Sequence, residues 1–300
     1  MPGVVSRMMR EAITLLDPLL KRLDLEQSRK LQDDLGALAA RVMSPNISYE
    51  QAPFDIFEAE WAVPKQVRAK KAILYLHGGS YTAGTLSYAK GFGGVLAETM
   101  GFETLCVGYR LAPEHPYPAA MEDAMEAYQY MLTRYAPADI AWVGESAGGG
   151  LCYGLALKCE NENIALPGCI VAISPWTDLT LSGASVIANR AVDIMLRADS
   201  LAESAHMYAG TNLENPLVSP LFGDLNHMPP TRIFAGSAEL LTDDSTRMEE
   251  RLQSAGADVQ LHIEEGMWHA YVLYGVPEAK QALESIRTFI WKEIGYGEEA

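Results

Sequence analysis

The chain lacks any apolar run of the ~18 residues a membrane-spanning helix needs. Arg7, Arg10, Glu11 and Asp17 interrupt the N-terminal stretch, so it does not read as a secretion leader. Cysteine is sparse, with four residues (Cys106, Cys152, Cys159 and Cys169) that show neither metal-ligand spacing nor a dense disulfide framework. They are expected to be core thiols of a protein in a reducing, cytoplasmic setting. Basic charge is also short: 23 Lys and Arg stand against 39 Asp and Glu, a net charge of −16. That balance argues against a nucleic-acid partner, which needs a basic face, and against electrostatic attachment to anionic lipid. Internal repeats and low-complexity tracts are missing. What is present is ordinary globular material, 49% hydrophobic and 21% charged over 300 residues, enough for one large domain with a small appendage.

The hydrophobic pattern is organised. Residues 1–42 read as helices, with Asp17 and Pro18 suited to a helix start, and Ser44-Pro45-Asn46 breaks the pattern. Strand character over 54–63 is followed by a repeating alternation. Short apolar strands are expected at 72–76, 104–107, 140–143, 169–174, 231–234 and 259–263. Helices are expected at 92–99, 119–133, 150–158, 243–254 and 278–290. Nearly continuous apolar strands alternating with helices imply an α/β fold whose mostly parallel sheet is covered on both faces. About 55 residues separate the strand ending near Ser174 from the one starting near Thr231, far more than a crossover needs. The segment 181–226, helical around 197–207, is therefore expected to be an insertion. With residues 1–42 it would form a small helical cap over a core made of 43–180 and 227–300.

The densest local signal is Gly144-Glu145-Ser146-Ala147-Gly148, an apolar strand running straight into Gly-x-Ser-x-Gly and then a helix. It resembles the nucleophile elbow of α/β-hydrolases. A serine on so sharp a turn is strained, and side chains two residues to either side would collide, so both positions call for glycine. The following helix points N–H groups at developing negative charge. A phosphate-binding loop is a poorer reading, because Gly-Lys-Ser/Thr is missing and Glu145 would repel a phosphate.

Two further motifs follow strands. His77-Gly78-Gly79-Ser80-Tyr81 brings consecutive glycines to the place where the fold carries its second oxyanion donor. Tyr109-Arg110-Leu111-Ala112-Pro113-Glu114-His115 follows the next strand. Together the three motifs resemble the hormone-sensitive lipase family of α/β-hydrolases, in particular its bacterial carboxylesterases, over essentially the whole chain. The resemblance implies that Tyr109–His115 braces the sheet and site loop, so Arg110, Glu114 and His115 are expected to be structural. It also implies a triad in the order Ser, acid, His, which the fold shares.

His269, on a loop between the last strand and the last helix, occupies the family's histidine position. The acid is less plain. The family pattern Asp-Pro-Leu-x-Asp, aligned on Leu241 and Asp243, puts its first position at Glu239, and Leu240 replaces the proline. Asp243 is the alternative acid, although Asp243 and Asp244 also suit a helix N-terminus. Matched to the family, the oxyanion donors are the amides of Gly78, Gly79 and Ala147. Ser80 replaces a third glycine and would narrow the room for the alcohol part of a substrate. Tyr81, Trp176, Trp268 and Tyr271 are candidates to line a substrate pocket, or ordinary packing.

These readings point to a carboxylesterase for short acyl esters, acting through an acyl-enzyme on Ser146. No metal or organic cofactor is expected, and the expected partner is a small-molecule ester. A lactone or an amide suits the same triad. Gibberellin receptors share the resemblance but have lost the histidine and bind ligand without turnover, so His269 argues against such a role here. The resemblance also allows a homodimer, since family members often pair through the edge of the sheet.

Overall fold

The computed structural model describes residues 2–20 and 22–296, the side chains of 17, 18 and 20 excepted. An eight-stranded sheet in the order β1-β2-β4-β3-β5-β6-β7-β8 organises the chain. The strands are β1 (Ile47–Gln51), β2 (Glu58–Pro64), β3 (Ala72–Leu76), β4 (Glu103–Gly108), β5 (Ile140–Glu145), β6 (Cys169–Ile173), β7 (Thr231–Gly236) and β8 (Val259–Glu264). From β4 across to β8 all pairs are parallel; β1 and β2 add an antiparallel edge. The strand character expected over 54–63 corresponds to β2, whereas β1 lies ahead of that stretch. The half-buried, polar Ile47–Gln51 carries no apolar run to announce it.

Alternation along the central strands divides the core in two. Leu74, Trp142, Ile170 and Ile233 face one way, toward α4 (Ala119–Leu132), α5 (Ala147–Asn161) and α8 (Thr242–Ser254). Ile73, Val143, Val171 and Phe234 face the other way, toward α3 (Leu86–Met100) and α9 (Pro277–Glu293). The central strands are buried on both faces and therefore read as unbroken apolar runs. All four cysteines are buried and unpaired.

The N-terminal residues form α1 (Val4–Leu20) and α2 (Leu25–Met43). The helix start expected at Asp17-Pro18 lies inside α1 instead. The break falls after Leu20, and Asp24 caps α2 by accepting the Gln27 amide while Gln27 returns a bond to the Asp24 amide. α2 packs backbone to backbone on α3: a Cβ on Gly36 would overlap the Tyr88 main chain, and one on Gly91 would press on Gly36. The long segment between β6 and β7 carries α6 (Ser185–Ala188) and α7 (Ala198–Ala209). None of the described helices is long and apolar enough to cross a membrane.

Candidate active site

β5 ends at Glu145, α5 begins at Ala147, and Ser146 between them has φ 55° and ψ −122°, a conformation L-residues rarely adopt. The turn closes because the glycines leave room. A Cβ on Gly144 would overlap the Gly148 backbone, and one on Gly148 would overlap the Leu76 carbonyl. The Ser146 amide donates to the Ile173 carbonyl at 2.9 Å, and the Ser146 carbonyl accepts the Trp176 amide at 2.9 Å. The serine is thus held by β6 as well as by its own strand.

His269 Nε2 lies 2.9 Å from Ser146 Oγ, and His269 Nδ1 lies 2.8 Å from Glu239 Oε2. A carboxylate only accepts, so Nδ1 carries the proton and Nε2 faces the hydroxyl as an acceptor. Ser146 is 6% exposed, His269 5% and Glu239 fully buried, so solvent reaches the serine narrowly and the carboxylate not at all. Burial disfavours the charged imidazole, but the hydrogen bond and charge of Glu239, with the charges of Asp193 and Glu145, outweigh it and hold the ring's pKa above its ordinary value. This arrangement suits a proton acceptor that must become a stabilised cation.

Neither aspartate of the alternative reading joins the histidine. Asp243 accepts the Ser185 amide at 2.9 Å. Asp244 is buried and accepts the Thr177 and Asp178 amides, both at 2.8 Å.

The loop bearing Glu239 is clasped by the segment between β6 and β7. Asn189 donates to the Glu239 carbonyl at 2.8 Å, Ser185 Oγ to the Leu240 carbonyl at 2.6 Å, and Asp193 accepts the Leu240 amide at 2.7 Å. On the histidine side, Ser174 Oγ accepts the Ala270 amide at 3.0 Å, and Arg10 from α1 donates to the Gly266 carbonyl at 2.9 Å. Ser174, Asn189 and Asp193 escape sequence reasoning because each acts across a long chain separation and none sits in a motif. Ser174 offers one sign in the structure, a φ of 46°.

The glycine strand after β3 needs a correction. The Gly78 amide is already committed to Glu145 Oε1 at 2.6 Å, so it cannot serve a substrate oxygen without breaking a buried bond. The amides of Gly79, Ser80 and Ala147 have no acceptor among the described residues. Gly79 has φ 117°, where only glycine is comfortable, and Ser80 and Tyr81 follow at 56° and 61°. The two non-glycine positive φ values, at Ser80 and Tyr81, store strain in the segment that faces the elbow.

The bracing motif behaves as the resemblance implies. Tyr109 donates to the His77 carbonyl at 2.7 Å, and Arg110 grips Asp123 with contacts of 2.6 and 2.9 Å. Glu114 takes a two-point ion pair from Arg29 of α2, whose Nε also holds the Thr82 carbonyl at 2.6 Å.

The aromatic candidates divide. Tyr81 stacks on Tyr208 of α7 with ring centres 3.8 Å apart, and Trp176 lies beside Tyr81 at 6.2 Å, all on the α5 face. Trp268 and Tyr271 are instead fully buried in the α3 and α9 layer. The pocket expectation for Trp268 therefore fails: although its neighbour His269 reaches Ser146, the indole packs on the far face of the sheet. Among the described residues no cluster of His, Cys, Asp and Glu is arranged to hold a metal ion.

Comparison with known proteins agrees with the geometry. Residues 73–273 match a family model described as the alpha/beta hydrolase fold. An acetyl-hydrolase of Streptomyces hygroscopicus is 36% identical over 243 residues, covering 80% of this chain and 81% of that protein. An esterase of Acinetobacter venetianus is 34% identical, covering 76% of this chain and 77% of its own. Among solved structures, a hormone-sensitive lipase from a metagenome library superposes with a TM-score of 0.90 at 32% identity, covering 96% of this chain and 98% of that one. The chain belongs to the α/β-hydrolase family, among the bacterial hormone-sensitive lipase esterases, and is a carboxylic ester hydrolase.

Proposed function

We propose that the protein hydrolyses short-chain acyl esters of small alcohols through a Ser146–His269–Glu239 triad and an acyl-enzyme. The observation that carries this reading is the continuous pair of hydrogen bonds, 2.9 Å from serine to histidine and 2.8 Å from histidine to glutamate. As Ser146 Oγ attacks the carbonyl carbon, its proton passes to His269 Nε2 and the carbonyl oxygen becomes an oxyanion. Glu239 stabilises the imidazolium. The free amides of Gly79, Ser80 and Ala147 receive the oxyanion, and loss of one such donor typically costs about 10²–10³ in rate. His269 then protonates the leaving alcohol. Water releases the acid by the same relay in reverse.

Short acyl chains fit the surroundings of the serine. The Tyr81–Tyr208 stack and Trp176 fill the space on the α5 face, and both arms of the proposed cap are fastened to the core. α2 is fixed by the Arg29–Glu114 pair and by contact with α3, and the β6–β7 segment by its bonds to the Glu239 loop. Two relatives carry names in the same direction: the Streptomyces acetyl-hydrolase, and an ethyl acetate hydrolase of Pseudomonas putida at 32% identity over 72% of this chain.

The test is the p-nitrophenyl ester series from acetyl to decanoyl, run beside covalent trapping with a phosphonate and mass analysis of the labelled peptide. The expected result is kcat/KM greatest at two to four carbons and a single adduct on Ser146. A rate that climbs to decanoyl, or an adduct elsewhere, would count against the proposal.

A further inference from the structure

Glu145 precedes the proposed nucleophile, stays outside the triad, and is 1% exposed. Its carboxylate is fully engaged. One oxygen accepts the Gly78 amide at 2.6 Å and the other accepts the Tyr75 hydroxyl at 2.7 Å. Gly78 is pressed against the elbow, since a Cβ there would lie 2.9 Å from the Glu145 carbonyl oxygen and 3.0 Å from Ser146 Cβ. A buried carboxylate is costly to keep. The segment it holds, Gly78-Gly79, is a loop of consecutive glycines and gains from an external anchor.

We propose that Glu145 is a positioning residue. By gripping the Gly78 amide it fixes the orientation of the next peptides and holds the Gly79 and Ser80 amides ready for the oxyanion. This rests on the reading that those amides bind the oxyanion. Donors that stabilise a transition state are effective only when their orientation is set before the reaction, because reorganising them costs part of what they contribute. A glycine pair with positive φ at Gly79 supplies little orientation of its own. A charge-assisted bond from a rigid turn supplies it, and ties donor strand to nucleophile so that the two move together.

The carboxylate also leaves a signature. Burial pushes its pKa up to about 7, partly offset by the bonds from Gly78 and Tyr75. The groups that face its charge are Tyr75 of β3, Tyr88 of α3, Tyr109 beyond β4, Cys152 of α5, Tyr274 before α9, and His269. The tyrosines and Cys152 are held neutral by burial, and His269 is held above its ordinary value by neighbouring carboxylates.

The experiment compares wild type, Glu145→Gln and Glu145→Leu on p-nitrophenyl acetate, with Ser146→Ala as control. Gln keeps an acceptor oxygen for the Gly78 amide; Leu removes it. The expected result is a fall in kcat of about 10²-fold for Leu with KM within threefold, a matching loss of affinity for a trifluoromethyl ketone, and recovery to within tenfold of wild type for Gln. In glycine-labelled protein the Gly78 amide resonance is expected to move with pH through a midpoint near 7, and to lose that transition in Glu145→Gln. The Gln variant keeps the test open if Leu does not fold. A Leu variant with wild-type kcat, a loss confined to KM, a Gln variant as impaired as Leu, or a Gly78 resonance that titrates equally in Gln would each overturn the proposal. Ester turnover that survives Ser146→Ala would instead overturn the triad.

Discussion

At the scale of single residues, His269 carries the tightest constraint under the proposed mechanism, which needs it neutral to accept the serine proton and charged a moment later. Its pKa is held above the ordinary 6.5 by Glu239, against the effect of burial. Activity needs the neutral ring, so kcat/KM is expected to rise with pH through a midpoint above 6.5. In Glu239→Gln the largest raising influence is removed while burial remains, so that midpoint should move down, measured as a pH–rate profile on p-nitrophenyl acetate. A midpoint unmoved by the substitution would show that Glu239 does not set the ring's charge. The placement of Ser146 and His269 was legible because each is fixed by neighbours in sequence: glycines two positions away for the serine, a loop between the last strand and helix for the histidine. Glu239 was legible by alignment on Leu241 and Asp243. The engagement of Gly78 was not, because its partner Glu145 lies 67 positions away and nothing in a linear motif says which amide an acid will take. Trp268 misled for a related reason. It sits on a loop, and a loop has no periodicity from which to read which way a side chain faces.

At the scale of elements, two junctions decide how the site is held. The first is the contact of α2 with α3, where Gly36 lets the helices meet main chain to main chain. Gly36→Val is expected to lower stability by roughly 1–3 kcal/mol through overpacking, seen as a lower melting temperature in calorimetry, whereas the exposed Leu38→Ser should leave it nearly unchanged. The second is the clasp on the Glu239 loop. Leu240 stands where the resemblance expects proline, and its N–H, which proline would lack, donates to Asp193 at 2.7 Å. The departure thus gives the β6–β7 segment an additional hold on the acid. Asp193→Ala is expected to lower kcat about tenfold by loosening Glu239, with a change in melting temperature of only a few degrees. An unchanged kcat would mean the other two clasp bonds suffice. The alternation of strands and helices was legible element by element, and so was the helix near 197–207, because apolar periodicity is local. The antiparallel β1 was not, being an edge strand with polar residues, and the α1–α2 break was misplaced because Asp17-Pro18 looks like a helix start while the cap formed at Asp24.

At the scale of the whole molecule, carboxylates with raised and with lowered pKa values act on stability in opposite pH ranges. Burial raises the pKa of Glu145 and Asp244, each to about 7. For an acid raised above its unfolded value, stability is present below that unfolded value and is lost as pH rises through the folded one, here between about 4 and 7. The net charge of −16 adds self-repulsion in the same direction. Asp178, Glu114 and Glu278 are held below their ordinary values. The contribution of these three is present above about 4.5 and lost as pH falls further. Thermal stability is therefore expected to peak at about pH 4.5, where the lowered acids are largely ionised and the raised ones still protonated. The melting temperature at pH 8.5 should lie a few degrees lower, with part of the difference recovered in 1 M salt. A melting temperature that rises steadily to pH 8.5 would contradict this. Activity, which needs His269 neutral, favours the opposite side of neutrality, so the most stable and the most active conditions should differ. The overall α/β architecture was legible because central strands buried on both faces leave unbroken apolar runs. How the distant β6–β7 segment folds back onto the Glu239 loop was not, because that contact depends on side-chain hydrogen bonds over roughly fifty residues.

The measurement that bears most directly on the triad is kcat/KM for p-nitrophenyl acetate in Ser146→Ala, Glu239→Gln and Asp243→Asn beside wild type, each checked for a native melting transition. The expected result is loss of roughly 10⁶ for Ser146→Ala and roughly 10⁴ for Glu239→Gln, with Asp243→Asn within a few-fold of wild type. Equal losses in Glu239→Gln and Asp243→Asn, or full activity in Glu239→Gln, would contradict the assignment of Glu239 as the acid that orients His269.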